Sequence, residues 1–161
     1  LLALGANISL GTDGASDTRL DMFEQMRLLR SAMQGRYGIE VYDPVVIPHL
    51  DFLRMITSWG AKSVMLQEEI GSLEVGKKAD IILVDLDRPH LSPNLNLLKA
   101  LFMSIGPDDV RDVIIDGQLV LKNREFLFLD EEKIIYEAAQ AMKRVSSRAG
   151  FAMDQGYFPK R

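Results

Sequence analysis

The spacing of apolar residues changes near residue 70, and this change limits the folds open to the chain. Ahead of it, Met22, Met26, Leu29 and Met33 recur at i, i+4, i+7 and i+11, with Phe23 beside them. That spacing predicts one apolar helix face, in which Met fills irregular core gaps. Beyond it, the run Ala79-Asp80-Ile81-Ile82-Leu83-Val84-Asp85 is β-branched and apolar, as in a buried strand. Two further β-rich runs, residues 113–115 and 119–121, flank Asp116-Gly117. That dipeptide selects a two-residue type I′ hairpin turn. The expectation is a helical front piece and a mostly antiparallel sheet behind it. The glycine-rich stretch at residues 69–78 marks the boundary.

Finer expectations follow. Residues 7–12 are short and apolar, as in a strand buried on both faces of a parallel sheet. Ser16 or Asp17 can cap the helix that follows, with Asp21 and Glu24 early and Arg27 and Arg30 late. Residues 35–48, with glycine and two prolines, read as a connection. Residues 50–59 form a second helix ending near Gly60, with Trp59 in the core. Asp80 and Asp85 cap loops at the ends of their strand. Residues 95–103 are helical until Gly106-Pro107. A third strand covers residues 126–129. Asp130 caps a final helix with Glu131 and Glu132 in its first turn and Ile134, Ala138, Ala141 and Val145 on its apolar face. Gly150 ends it, and residues 151–161 are a tail. At the other end, residues 1–5 read as the last turn of a helix closed by Gly5. With no initiator Met, the chain reads as truncated or processed.

Composition excludes several classes. At 161 residues the chain can bury a real core. A net charge of −4 argues against general affinity for nucleic acid or anionic membranes. No run reaches the roughly 18 apolar residues of a membrane span. The absence of cysteine excludes disulfides and Cys-ligated metals and fits a reducing, cytoplasmic setting.

Candidate chemistry begins at Gly11-Thr12-Asp13-Gly14. Asp13 stands just after the apolar Ile8-Ser9-Leu10, where α/β enzymes place catalytic groups. Asp-Gly is equally an ordinary turn dipeptide, and the residues alone leave both readings open. Thr12 and Gly14 shape the turn. Ser16 and Asp17 lie within reach of a ligand, with helix capping the simpler role. The two histidines stand apart: His49 at a helix start, read as a surface or capping residue, and His90 in a Pro-flanked loop, read as a surface or interface residue.

Two separated stretches resemble one family. Leu10-Gly11-Thr12-Asp13-Gly14 followed by Leu20-Asp21-Met22-Phe23-Glu24-Gln25-Met26-Arg27 is similar to the last barrel strand and following helix of the amidohydrolase superfamily. Its branch of aromatic-ring aminohydrolases and chlorohydrolases is the nearest likeness. It includes S-adenosylhomocysteine/methylthioadenosine deaminases, guanine deaminases and triazine hydrolases. Residues 70–85 resemble the family's return from the barrel into a small β-sandwich. The hairpin at 113–120 and the helix after Asp130 extend the likeness over nearly the whole chain.

The resemblance implies an α/β fold: the C-terminal part of a (β/α)8 metal-dependent hydrolase barrel plus part of a small β-sandwich domain. Residues 1–69 would be the last barrel strand and following helices, 70–129 part of the composite sandwich, and 130–161 the C-terminal helix and tail. It implies a divalent metal, zinc first and iron second, with Asp13 as metal ligand and proton-transfer residue. The family's His-x-His pair is absent, so Asp13 is the one family ligand expected here. The implied reaction is hydrolytic deamination or dechlorination of an aromatic N-heterocycle such as a purine or triazine. The isolated chain is expected to be inactive. It would form homo-oligomers or associate with the missing N-terminal part. A non-catalytic subunit, packed against a partner that carries the histidines, is the alternative.

Overall fold

The computed structural model describes residues 2–13, 19–42, 45–93 and 95–150. It divides into two compact units, Leu1–Arg124 and Glu125–Arg161.

In the first unit a 3-10 turn, Leu2–Leu4, is closed by Gly5 at φ +72°, with the Gly5 N–H donating to Leu2 O. The expected helical turn and its glycine stop are therefore present. Residues 6–13 form no strand. A strand exists only through ladder hydrogen bonds to a neighbour, and the described residues supply none beside it. The segment is instead held by packing of Ile8 and Leu10 on the core and by Leu10 N–H donating to Met55 O at 3.2 Å.

Helix α1, Met22–Met33, starts at Asp21, whose carboxylate accepts from Phe23 N at 2.9 Å. The alternatives Ser16 and Asp17 lie outside the described residues. Phe23 and Met26 are buried, and Leu29 and Met33 pack against the core, as the stripe predicted. The helix does not stop at Gly35. It widens into a π-turn, Gln34–Gly38, and runs on as α2, Ile39–Val41, to a left-handed Tyr42. A mid-helix glycine costs only about 1 kcal/mol, too little to end a helix whose hydrogen bonds continue.

The second predicted helix is two helices. Helix α3, His49–Ile56, breaks at Thr57 (φ −124°, ψ −102°) and α4, Ser58–Ser63, follows. The Thr57 hydroxyl donates to Leu53 O at 2.7 Å at this elbow. Trp59 is part-buried against the core, as expected. Later elements are β1 (Ile81–Val84), α5 (Leu97–Met103, capped by Asn96), β2 (Val110–Ile115) and β3 (Gln118–Lys122). Strands β1, β2 and β3 pair antiparallel in that order, with bulges at Leu83/Val84 and Val113/Ile114. The hairpin is as predicted: Asp116 and Gly117 have φ of 50° and 77°, both positive as type I′ demands. Strand β1 is not buried on both faces, because Ile82 and Leu83 are 49% and 42% exposed. Among the described residues of this unit its ladder partner is β2, so it stands at the sheet edge.

One core serves residues on both sides of residue 70. Phe23, Met26, Phe52 and Met55 from the helices meet Leu91, Phe102 and Ile105 from after β1. The Phe102 ring lies 4.9 Å from that of Phe52, tilted by 43°, and Arg27 donates to Ile105 O at 2.9 Å. The polypeptide is thus mixed helix and sheet. Among the described residues no helix is long and apolar enough to cross a membrane.

The second unit opens with β4, Glu125–Phe126, shorter and earlier than the strand expected at 126–129. Helix α6, Glu131–Ala149, is capped by Asp130, which accepts from Lys133 N at 3.0 Å, and ends at a left-handed Gly150. These boundaries match the prediction. Ile134 and Val145, on its expected apolar face, remain about half exposed. The predicted tail lies outside the described residues.

Candidate functional site

Asp13 stands three residues beyond the last anchor of its segment. Leu10 is tied to Met55 O, and Asp13 follows exposed, with φ +54°. Aspartate is among the few residues that tolerate the left-handed region, because its short side chain bonds locally. Behind it, Asn7 reaches from the same segment to α4. Its Nδ2 donates to Trp59 O at 3.1 Å and to Ser63 Oγ at 2.8 Å, and Ser63 Oγ donates to Trp59 O at 3.0 Å. The other predicted turn residues divide: Thr12 is part-buried, whereas Gly14, Ser16 and Asp17 lie outside the described residues.

The histidines do not join Asp13. His49 is neither a cap nor a free surface residue: it sits in the first turn of α3 with its ring 4.8 Å from that of Phe102. His90 lies in the 3-10 turn Pro89–Leu91 and meets Asp109 at 3.1 Å. Among the described residues no three of His, Cys, Asp or Glu come together in a group able to hold a metal ion. The described residues therefore do not by themselves fit a metal.

Two buried carboxylates escaped the sequence reading. Asp109 is 2% exposed and accepts from Gly106 N at 2.9 Å, with His90 at 3.1 Å and Arg88 Nε at 3.6 Å. Burial alone would raise its pKa. The Gly106 N–H, His90 and Arg88 outweigh burial and hold it below the ordinary carboxylate value. Asp112, 8% exposed, accepts from Asn123 N at 2.8 Å and pairs with Arg111 at 2.9 Å. Those two contacts, in that order, lower its pKa against burial. Gly106 and Arg111 are near in sequence, but Arg88, His90 and Asn123 lie 11 to 21 positions away, so sequence spacing does not reveal either buried carboxylate. Asp80 and Asp85 act as loop caps, as expected. Asp80 accepts from Asp116 N at 2.7 Å, and Asp85 accepts from Asp87 N at 3.1 Å while pairing with Arg124 at 2.9 Å.

Two open grooves are lined without Asp13. One, of about 500 Å³, lies between the α3–α4 elbow, residues 70–73 and the start of β1. The other, of about 270 Å³, lies between His90 and α5. Chemically, the described structure offers one exposed carboxylate on a pinned segment and no second catalytic group beside it.

The family model described as "Amidohydrolase family" matches residues 1–120. The 5-methylthioadenosine/S-adenosylhomocysteine deaminase of Thermoanaerobacter pseudethanolicus is 40% identical over 149 residues, 92% of this chain and 34% of that protein. Among solved structures, an adenosine deaminase from Xanthomonas campestris with bound zinc superimposes with a TM-score of 0.83 at 32% identity. The match covers 91% of this chain and 33% of that one. Atrazine chlorohydrolase from Arthrobacter aurescens TC1, complexed with zinc, superimposes with a TM-score of 0.74 at 25% identity, covering 86% and 30%. The chain spans about a third of the length of each.

Proposed function

Because the chain belongs to the amidohydrolase family, we propose that it is the C-terminal part of a metal-dependent hydrolase that deaminates an aromatic N-heterocycle. The adenine ring of a nucleoside is the first substrate class, and dechlorination of a triazine the second. The observation that carries this reading is the 40% identity to the Thermoanaerobacter deaminase over 92% of the chain. The zinc in the Xanthomonas and Arthrobacter structures supports a divalent metal, zinc before iron, held mainly by ligands from outside the described residues.

In this reading residues 7–12 become the last strand of a (β/α)8 barrel when the neighbouring strands pair with them, and residues 1–69 include the helices after it. Residues 70–129 are part of a composite β-sandwich, and 130–161 the C-terminal helix and tail. Asp13 is the ligand this chain contributes and the base for the attacking water. Water adds to the ring carbon, Asp13 takes its proton, and the proton passes to the departing amine. A carbon–oxygen bond replaces a carbon–nitrogen bond, and ammonia leaves. Such a base contributes about 10²–10⁴-fold. The working protein is a cytoplasmic homo-oligomer or an assembly with the rest of the barrel. The alternative is a non-catalytic subunit whose partner carries the histidines.

The test compares the 161-residue chain with the same chain extended by whatever its gene encodes ahead of Leu1. Zinc content and ammonia release from adenosine, methylthioadenosine and a chlorotriazine are measured for both. The expected result is zinc and turnover in the extended protein only, with Asp13→Asn lowering turnover at least about 100-fold. Stoichiometric zinc with turnover in the short chain overturns the partial-barrel reading, and full activity in Asp13→Asn removes Asp13 from the chemistry.

A further inference from the structure

Helix α6 exposes an apolar seam along its length. Residues 131, 134, 138, 141, 145 and 148 follow one another at steps of 3, 4, 3, 4 and 3, the spacing of the inner positions of a coiled coil. They are Glu131, Ile134, Ala138, Ala141, Val145 and Arg148. Ile134 is 48% exposed and Val145 54%. On one flank stand Ile135 and Met142, 70% and 44% exposed. On the other stand Glu137 and Arg144, both exposed. A contiguous exposed apolar stripe marks an interaction surface, and its charges say what covers it. The acids Glu131 and Glu137 lie in the N-terminal half of the seam, the bases Arg144 and Arg148 in the C-terminal half. The helix dipole favours that order. It does not explain why these four stand at the ends and along one edge of the apolar seam.

We propose that α6 pairs with α6 of a second copy of this chain, antiparallel, as a two-fold symmetric helix–helix contact. With Ile134 set against Val145 of the second copy, Ala138 falls against Ala141, where small side chains let the two backbones close in. The same register sets Glu131 against Arg148 and Glu137 beside Arg144, with Ile135 beside Met142 on the opposite edge. Symmetry makes each of these contacts twice. Every charge on the seam then meets its opposite, and the apolar groups meet one another. A parallel pair would set each acid and each base against its own copy, where like charges repel. Within its own chain Glu137 has Lys133 at 4.0 Å, an exposed contact too loose to occupy the carboxylate. The helix has 19 residues, so it is about 28 Å long, enough for about two and a half heptads. The pairing gives the homo-oligomer offered above an interface. It stands apart from the deaminase reading, which zinc and turnover decide.

The test measures molecular mass by sedimentation at about 10–200 μM, a range suited to a small interface. The protein carries whatever its gene encodes ahead of Leu1. A concentration-dependent dimer is expected. Arg144→Glu and Glu137→Arg each turn two attractions into two repulsions, and each should weaken the dimer by about tenfold. Mixed in equal amounts, the two variants regain both opposite-charge pairs across the interface, so a heterodimer of unmutated affinity should form. That recovery also shows that each variant folds. The double variant Glu137→Arg/Arg144→Glu should dimerise like the unmutated protein. A protein that stays monomeric throughout the range overturns the proposal. So does a dimer that neither reversal weakens, because its contact lies on another surface, and so do variants that stay weak when mixed. Absence of zinc and turnover in the unmutated protein counts against the deaminase reading, while sedimentation alone decides the α6 pairing.

Discussion

Replacing Gly71 by alanine probes the described glycine at which an added Cβ would be most crowded. A Cβ there would lie 2.7 Å from Ala61 Cβ, 3.1 Å from Ser58 Cα and 3.1 Å from Thr57 O. Carbon pairs prefer about 3.5–4.0 Å, and two of these neighbours are backbone atoms of the elbow, so relief requires moving α4. Gly71 also has φ +92°, a region that costs a Cβ-bearing residue about 1–2 kcal/mol. Overpacking adds about 1–3 kcal/mol, for a total of about 2–5 kcal/mol. Gly76 separates the two terms: its φ is +95° and nothing lies within 4 Å of its Cβ position. Gly76→Ala should cost the backbone term alone. Urea unfolding of both variants should therefore differ by about 1–3 kcal/mol. Ala61→Gly in the Gly71→Ala background removes the 2.7 Å clash, and the pair should couple by at least about 0.5 kcal/mol. Equal losses at 71 and 76, or strict additivity with Ala61→Gly, would refute the crowding argument.

Two further outcomes follow from burial and charge. Asp109, Asp112 and Asp85 all have folded-state pKa values below the ordinary 3.8. A depressed carboxylate adds stability that is complete above its unfolded value and is lost as pH falls through the lower folded one. Thermal midpoints should therefore drop below about pH 4, and Asp109→Asn should flatten that acid limb; identical acid profiles would contradict the Asp109 account. Phe102→Ala removes a ring that is 2% exposed between His49 and Phe52, and should cost about 3–5 kcal/mol in urea unfolding.

Local signals were the legible part of the fold. The Asp116-Gly117 turn, the Asp130 cap, the Gly5 and Gly150 stops and the Met-rich face of α1 each depend on neighbours within a few residues. Elements that need distant partners were misread. Residues 7–12 have strand composition, but a strand needs a hydrogen-bonded neighbour, and none lies beside them among the described residues. β1 reads as buried because its residues are apolar, whereas exposure depends on what covers its free side. The break at Thr57 lies where Gly71 passes close to the elbow, a contact between distant positions that no local pattern encodes. At the candidate site, Asp13 stood out through its motif. The Asn7 contacts with α4 and the Arg88–His90–Asp109 knot were illegible, because each joins positions brought together only by folding.

The Asp116–Gly117 hairpin also bears on the order in which the sheet assembles. Its loop is two residues long, and such hairpins close in about 1–10 μs. Strand β1 must arrive from across some thirty residues, with the entropy of closing that loop still to overcome. Its docking point is prepared by the turn itself: Asp116 N donates to Asp80 Oδ1 at 2.7 Å and Gly117 N to Ala79 O at 3.0 Å. The two residues that close the hairpin therefore also hold the neighbouring strand: the turn's N–H groups fix β1 at its Asp80 end, so the same dipeptide sets the register of two strand pairs.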